Sequence, residues 1–256
     1  MNHESDKLSL YKSGDSECGY LPGLSASSLF ANPYDPPDPA LYDHLIRFGF
    51  RRSGNLVYRP DCTACRRCIS VRLRVCDFAP NRRFRRILKK NLSLQTFIAE
   101  ADFNNDYFAL YRLYLSTQHR GGSMDNPTPE DFKRFLLTRW SETLFLEIRC
   151  QNNKLLAVAV TDVVEDGLSS VYTFYDPAEK ARSPGQFSIL QQIELTRQKA
   201  LPYLYLGYWI ADCRKMTYKA DYQPLEYFYQ GQWLDRDRFE EASRNDPALD
   251  RLPQMI

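Results

Sequence analysis

The sequence predicts an α+β protein: a mixed, mostly antiparallel sheet with flanking helices, preceded by a region rich in cysteine and arginine. Three observations carry that prediction. Apolar residues recur at helical spacing through residues 105–140, then switch to alternation over "TLFLEIRC", "KLLAVAVTDVV" and "LSSVYTFYD". A helical pattern, "QFSILQQIELTRQKA", returns only after a loop that holds Pro184 and Gly185. A further alternating stretch, "VRLRVCDF", stands upstream of the helical part.

A chain of 256 residues has room for one large domain or two small ones. Its formal charge of +2 is close to neutral, so any contact with a polyanion must come from local patches and not from a global field. The N-terminal "MNHESDKLSL" has no apolar run of the kind a secretory leader needs, and "ALPYLYLGYWIA" is too short to span a bilayer. These features predict a soluble, cytoplasmic protein with no membrane partner. Its seven cysteines are then expected to be reduced, catalytic or metal-bound, not disulfide-paired.

Taken in order, residues 1–35 read as extended chain, because Gly14, Gly19, Pro22, Gly23 and Pro33 leave no room for a long helix. "DPALYDHLIRFGF" reads as a helix capped by Asp38, with Pro39 in its first turn, Leu41, Leu45 and Phe48 on one face, and Gly49 as its stop. "FRRSGNLVYR" predicts a hairpin around Ser53, Gly54 and Asn55. In "VRLRVCDF", Val71, Leu73 and Val75 form a core face, while Arg72, Arg74 and Cys76 form a basic one. "NRRFRRILKKNL" is a basic helix with Phe84, Ile87 and Leu88 as its apolar side. Two amphipathic helices follow, "NNDYFALYRLYLSTQH" and "TPEDFKRFLLTRW", the second opened by a Thr128 cap, Pro129 and Asp131.

The three strands come next, the last two joined through Glu165, Asp166 and Gly167. After the loop and its helix, expected to start at Gln186, come the strand "YLYLGYWI", a short helix in "CRKMTYKADYQP" and the strand "LEYFYQ". This order suits an acetyltransferase-like (GNAT-type) domain, whose loop after the third strand offers backbone N–H groups to an anionic ligand. The predicted division is an N-terminal Cys/Arg-rich region over 1–102, a transferase domain over 103–233 and a charged, loosely held tail over 234–256.

Five motifs carry candidate chemistry. Cys62, Cys65 and Cys68, with Cys18 as an upstream fourth ligand, have the spacing of a zinc site or an iron–sulfur cluster, and Arg66 and Arg67 would favour thiolate. The alternative is that they are small packing residues in a reducing cell. The run Arg82, Arg83, Arg85, Arg86, Lys89 and Lys90, with Arg72, Arg74, Arg51, Arg52 and Arg59, could form one phosphate-binding patch, or the run could be only a solvated helix face. Arg182, Ser183, Gly185 and Gln186 could cradle a phosphate, or form a plain turn. Lys215 and Lys219 stand at i and i+4 among tyrosines, an arrangement that suits a pocket for a carboxylate or phosphate. His119, which precedes "RGGSMD", is the histidine to consider for function.

These stretches, together with "CGYLP", "FGFRRSGNLVYRPDCTACRRCISVRLRV", "SSVYTFYDP", "RSPGQFSILQQIEL" and "LPYLYLGYWI", resemble the arginyl-tRNA–protein transferase family, in its bacterial branch of aspartate/glutamate leucyltransferases. The resemblance runs in order over roughly residues 15 to 233. It departs from the family pattern at Leu21, Ile69, Gln118 and Pro184. It implies an acetyltransferase-like catalytic domain and no organic cofactor. It also implies transfer of leucine from leucyl-tRNA to the α-amine of proteins that begin with Asp or Glu, marking them for degradation. On that reading Arg72, Arg74, Lys215, Lys219 and His119 are the candidates for binding the acidic acceptor. Arg82, Arg83, Arg85, Arg86, Lys89, Lys90, Arg182, Ser183 and Gln186 are the candidates for tRNA, and no catalytic base can be named. Three readings stand beside it: an arginyl donor, a non-catalytic RNA-binding module with a zinc knuckle, and acetyl transfer from coenzyme A, which the strand order alone leaves open and the motif match disfavours.

Overall fold

A computed structural model describes residues 8–34, 37–118, 120–122 and 124–249. The N-terminal segment forms short strands β1 (Leu10–Lys12), β2 (Ser16–Glu17), β3 (Ser25–Ala26) and β4 (Ser28–Ala31), then helix α1 (Pro39–Ile46) and the hairpin β5 (Arg51–Ser53) and β6 (Leu56–Pro60). The middle of the chain supplies β7 (Ile69–Arg74), α2 (Arg82–Lys90), β8 (Gln95–Glu100), α3 (Asn105–Gln118) and α4 (Pro129–Leu136). Strands β9 (Thr143–Arg149), β10 (Leu155–Val164) and β11 (Gly167–Tyr175) follow, then α5 (Pro184–Gln198), β12 (Tyr203–Trp209), β13 (Leu225–Tyr229), β14 (Gln232–Leu234) and α6 (Arg236–Ser243).

The sequence signals that set these elements are local. Asp38 caps α1 by accepting from the Leu41 amide at 2.6 Å, and Thr128 and Asp131 close a capping box on α4. The alternating stretches become β9, β10 and β11, in antiparallel pairs. Two expectations shift. The buried face of α1 is Tyr42, Leu45 and Ile46, while Phe48 lies beyond the helix and is exposed. Helix α5 begins at Pro184, two residues before Gln186, because proline's fixed φ suits the first helical position.

The result is a mixed α/β fold around an eight-stranded sheet in the order β14-β13-β7-β12-β11-β10-β9-β8. Its pairs are antiparallel except β11 with β12. A smaller sheet runs β1-β4-β6-β5. Strand β7 lies between β13 and β12, so the expected boundary at residue 102 falls inside one sheet that draws β7 and β8 from before it. Val71, Leu73 and Val75 are fully buried in a core shared with Phe187, Ile193, Leu204 and Leu206. The stretch after Trp233 is not loose through Leu249. Phe239 of α6 stacks on Tyr227 at 4.7 Å, Tyr229 donates to Asp246 at 2.9 Å, and the Arg66 amide donates to the Ala248 carbonyl at 3.0 Å.

A polar bolt joins the small hairpin to the large sheet. Arg52 and Asp162 are both fully buried and meet through two bonds of 2.6 and 2.7 Å. Thr143 and Tyr42 donate to the same carboxylate at 2.7 and 3.2 Å, and Arg52 also donates to the Leu136 carbonyl at 3.2 Å. Burial of two charges is tolerable only because each finds its partner with good geometry.

Candidate functional site

The site is built where the sheet fails to close. Strands β11 and β12 pair only over Gly167–Ser169 against Tyr203–Tyr205, yet β10 holds β11 as far as Tyr175 and β7 holds β12 as far as Trp209. Past Ser169 the two parallel strands part into a wedge. Each is bent there by a register shift, which skips Val171 opposite β10 and Leu206 opposite β7.

Arg51, the first residue of β5, reaches into this wedge. Its Nη2 donates to the Val171 carbonyl at 2.9 Å, the group that the register shift leaves without a ladder partner. On the other arm, Gly207 sits at φ +73°, and a Cβ there would lie 2.7 Å from Arg51 Nη1. The backbone conformation and the guanidinium both call for glycine at that position. Its guanidinium carbon lies 5.7 Å from the Tyr208 ring centroid, and no carboxylate pairs with it among the described residues.

Lys219 provides a second cation. It lies in a 3-10 turn (Thr217–Asp221), is 5% exposed, and donates to the Tyr208 carbonyl and to Met216 Sδ. Burial, and then the Arg51 charge, push its pKa down to about 7. The Tyr20 hydroxyl is pushed up to about 12, chiefly by burial. Tyr175 ends β11 with its ring 3.5 Å from where a Gly185 Cβ would stand, so the N-terminus of the 15-residue α5 edges the wedge.

The basic helix meets the same edge. All six of Arg82, Arg83, Arg85, Arg86, Lys89 and Lys90 are exposed. Lys90 donates to the Ala181 carbonyl, Arg182 to the Lys90 carbonyl at 3.2 Å, and Asn91 to the Arg182 carbonyl at 3.0 Å. Two stretches singled out separately in the sequence, 82–90 and 182–186, are thus adjacent. Arg83 is paired with Asp221 at 2.6 Å and Arg182 with Glu179 at 2.8 Å, while Ser183, at φ +55°, and Gln186 are half-buried.

The other candidates fall elsewhere. Arg72 is 9% exposed, bonded to Glu226 at 2.7 Å, with its guanidinium 3.6 Å from the Tyr203 ring centroid and 4.4 Å from that of Trp233. Arg74 is shared between Asp77 at 3.3 Å and Glu226 at 3.6 Å. Both are neutralised in place, and the expected basic face of their strand is a charge-balanced one. Arg52 is occupied by Asp162, and Arg59 lies over the Phe50 ring, so these arginines do not form one patch with α2. Lys215 is exposed while Lys219 is buried, so the two do not share a pocket. His119 lies outside the described residues.

Cys18, Cys65 and Cys68 pack with Leu21, Ile210, Cys213 and Met216 in an apolar cluster. Cys62 donates to the Ser27 carbonyl at 3.6 Å. Burial, reinforced by the neighbouring thiols, pushes Cys68 up to about 12, away from thiolate. Among the described residues no three of His, Cys, Asp and Glu are gathered as a metal ion requires.

Among the described residues, the wedge between the parallel strands is crossed by an arginine with no carboxylate partner and edged by a helix N-terminus, an arrangement suited to an anionic group. Residues 16–86 match the family described as "Arginine-tRNA-protein transferase, N terminus", and residues 106–229 match its "C terminus" counterpart. The aspartate/glutamate leucyltransferase of Stenotrophomonas maltophilia (strain R551-3) is 46% identical over 237 residues, 91% of this chain and 94% of that protein. The protein of the same name from Pseudomonas aeruginosa (strain LESB58) is 46% identical over 231 residues, 90% of this chain and 98% of its own. Among solved structures, L-PGS from Bacillus licheniformis aligns at a TM-score of 0.42 and 12% identity, over 67% of this chain and 49% of that one. The chain belongs to the arginine-tRNA–protein transferase family. Among the described residues no helix is long and apolar enough to cross a membrane.

Proposed function

We propose that this protein is an aminoacyltransferase that moves leucine from leucyl-tRNA to the α-amine of proteins beginning with Asp or Glu, within an acetyltransferase-like wedge between β11 and β12. The observation that carries this reading is Arg51 in the wedge, bonded to the Val171 carbonyl and with no carboxylate partner among the described residues. A site of that sign attracts an acidic first residue, and the names of the relatives supply the donor.

The chemistry asks little of the protein beyond placement. The donor is an activated ester, and an α-amine that titrates near about pH 8 has a useful neutral fraction at cell pH. The amine lone pair forms the new C–N bond, the ester C–O bond breaks, and the amine proton ends on the released ribose hydroxyl. Holding amine and ester in contact is the dominant contribution. The first N–H groups of α5 stand at the edge of the wedge as donors toward a developing oxyanion or a tRNA phosphate. The product carries an N-terminal leucine, consistent with a degradation signal.

On this reading α2 and the Arg182 loop track the tRNA backbone toward the wedge. Reversing Arg85 and Arg86 to Glu is expected to weaken leucyl-tRNA binding and to lower the slope of log affinity against log salt by about one for each phosphate no longer neutralised. Titration at several salt concentrations reads it, and an unchanged slope would leave α2 a solvated face. The function itself is tested by offering peptides beginning Asp, Glu, Ala and Lys with radiolabelled leucyl- or arginyl-tRNA. Leucine is expected on the first two alone; arginine transfer, or no transfer, overturns the assignment.

A further inference from the structure

We propose that Arg51 is the residue that reads the acid of the acceptor: its guanidinium binds the side-chain carboxylate of the client's first Asp or Glu in the wedge between β11 and β12. This rests on the transferase reading above and names the specificity determinant within it.

Three features set Arg51 apart from the other cations. The first is its partners. A guanidinium has five N–H donors, and Arg51 commits one group, Nη2, to the Val171 carbonyl. By contrast Arg52 is bound to Asp162, Arg72 to Glu226 and Arg83 to Asp221. No carboxylate pairs with Arg51 among the described residues, its guanidinium lies 5.7 Å from the Tyr208 ring centroid, and a buried charge is costly unless a partner completes it.

The second feature is relative exposure. Arg51 is a half-buried residue at the start of a hairpin strand, whereas Lys219 is 5% exposed and tied to the Tyr208 carbonyl. The third is provision of space. Gly207 has no Cβ where one would stand 2.7 Å from Nη1, and the same residue marks the bend that opens the wedge. The fork is therefore held between the two arms of the wedge, one group anchored on β11 and another against β12. Charge-assisted bonds from such a fork select a carboxylate over the isosteric amide, which offers one acceptor oxygen and no charge.

The test compares peptides beginning Asp, Asn, Glu and Gln as leucine acceptors for the full-length wild type, Arg51→Gln and Arg51→Lys. In the wild type Asp is expected to exceed Asn strongly in kcat/KM. In Arg51→Gln the Asp value is expected to fall roughly 100-fold while the low Asn value falls far less, so the preference collapses. Arg51→Lys, which keeps the charge but not the fork, is expected to lie between. Affinity for leucyl-tRNA is expected to stay within about 3-fold, which separates acceptor reading from loss of fold. Should the variants not fold, phenylglyoxal modification of the wild type followed by peptide mapping gives the same answer. An Asp-initiated peptide is expected to protect Arg51, and the Asn peptide is not. A retained Asp-over-Asn preference in Arg51→Gln, or equal protection by both peptides, overturns the proposal and leaves leucyl transfer standing. A wild type that labels no peptide overturns the transferase reading instead.

Discussion

Asp162→Ala is expected to cost about 3–5 kcal/mol of folding stability, because it leaves the Arg52 guanidinium fully buried without its counter-charge. A domain stable by about 5–15 kcal/mol loses a large share of its margin to such a change. The bolt does more than add attraction. Arg52 belongs to the hairpin and Asp162 to β10, and Thr143, Tyr42 and the Leu136 carbonyl close around them. Since Arg51 precedes Arg52 on β5, the bolt also fixes where Arg51 enters the wedge. Chemical denaturation reads the loss through the transition midpoint. The double replacement Arg52→Met with Asp162→Leu removes both charges and is expected to recover most of it. A loss below about 1 kcal/mol in Asp162→Ala would mean that water reaches the pair.

Lys219→Met is expected to change how stability depends on pH. The folded pKa, about 7, lies below the unfolded value near 10.5, so between these limits the unfolded chain binds more protons than the native protein. Native stability therefore rises with pH across that window, and the cost of burying the charged amine is fully present below about pH 7. The difference amounts to roughly 5 kcal/mol across the window. Methionine is close in shape and carries no charge, so the variant is expected to gain most at pH 6 and to lose the rise between pH 7 and 10. Denaturation series at pH 6, 7, 8 and 9 for both proteins test this. Parallel curves would show that Lys219 titrates near its ordinary value.

Local features of the fold were readable from sequence because their causes are local. The caps at Asp38 and Thr128, the switch to alternation after residue 142 and the hairpins at Gly54 and Gly167 each rest on residues within one or two turns of one another. The site was less legible because its partners are far apart in the chain. Arg72 meets Glu226 154 positions away, and nothing near Arg72 announces that its charge is already matched. Arg51 meets Val171 120 positions away, at a place defined by two strands that cease to pair. One signal did point there. Gly207 interrupts an otherwise alternating strand, and an isolated strand glycine marks a bulge or a close approach. The i, i+4 spacing of Lys215 and Lys219 assumed an α-helix, whereas the chain forms a 3-10 turn from Thr217 that buries only Lys219. Spacing alone nominated Cys62, Cys65 and Cys68, with Cys18, as ligands; it could not show that Cys18, Cys65 and Cys68 share an apolar cluster with Leu21, Ile210 and Cys213.

The most direct test of the account is a crystal structure of the full-length protein with a dipeptide beginning with Asp. The side-chain carboxylate is expected between β11 and β12, within hydrogen-bond distance of the Arg51 guanidinium, with the free amine facing the edge formed by α5. A dipeptide bound instead on the surface around Arg74 and Lys215, with the wedge closed to it, would contradict the account.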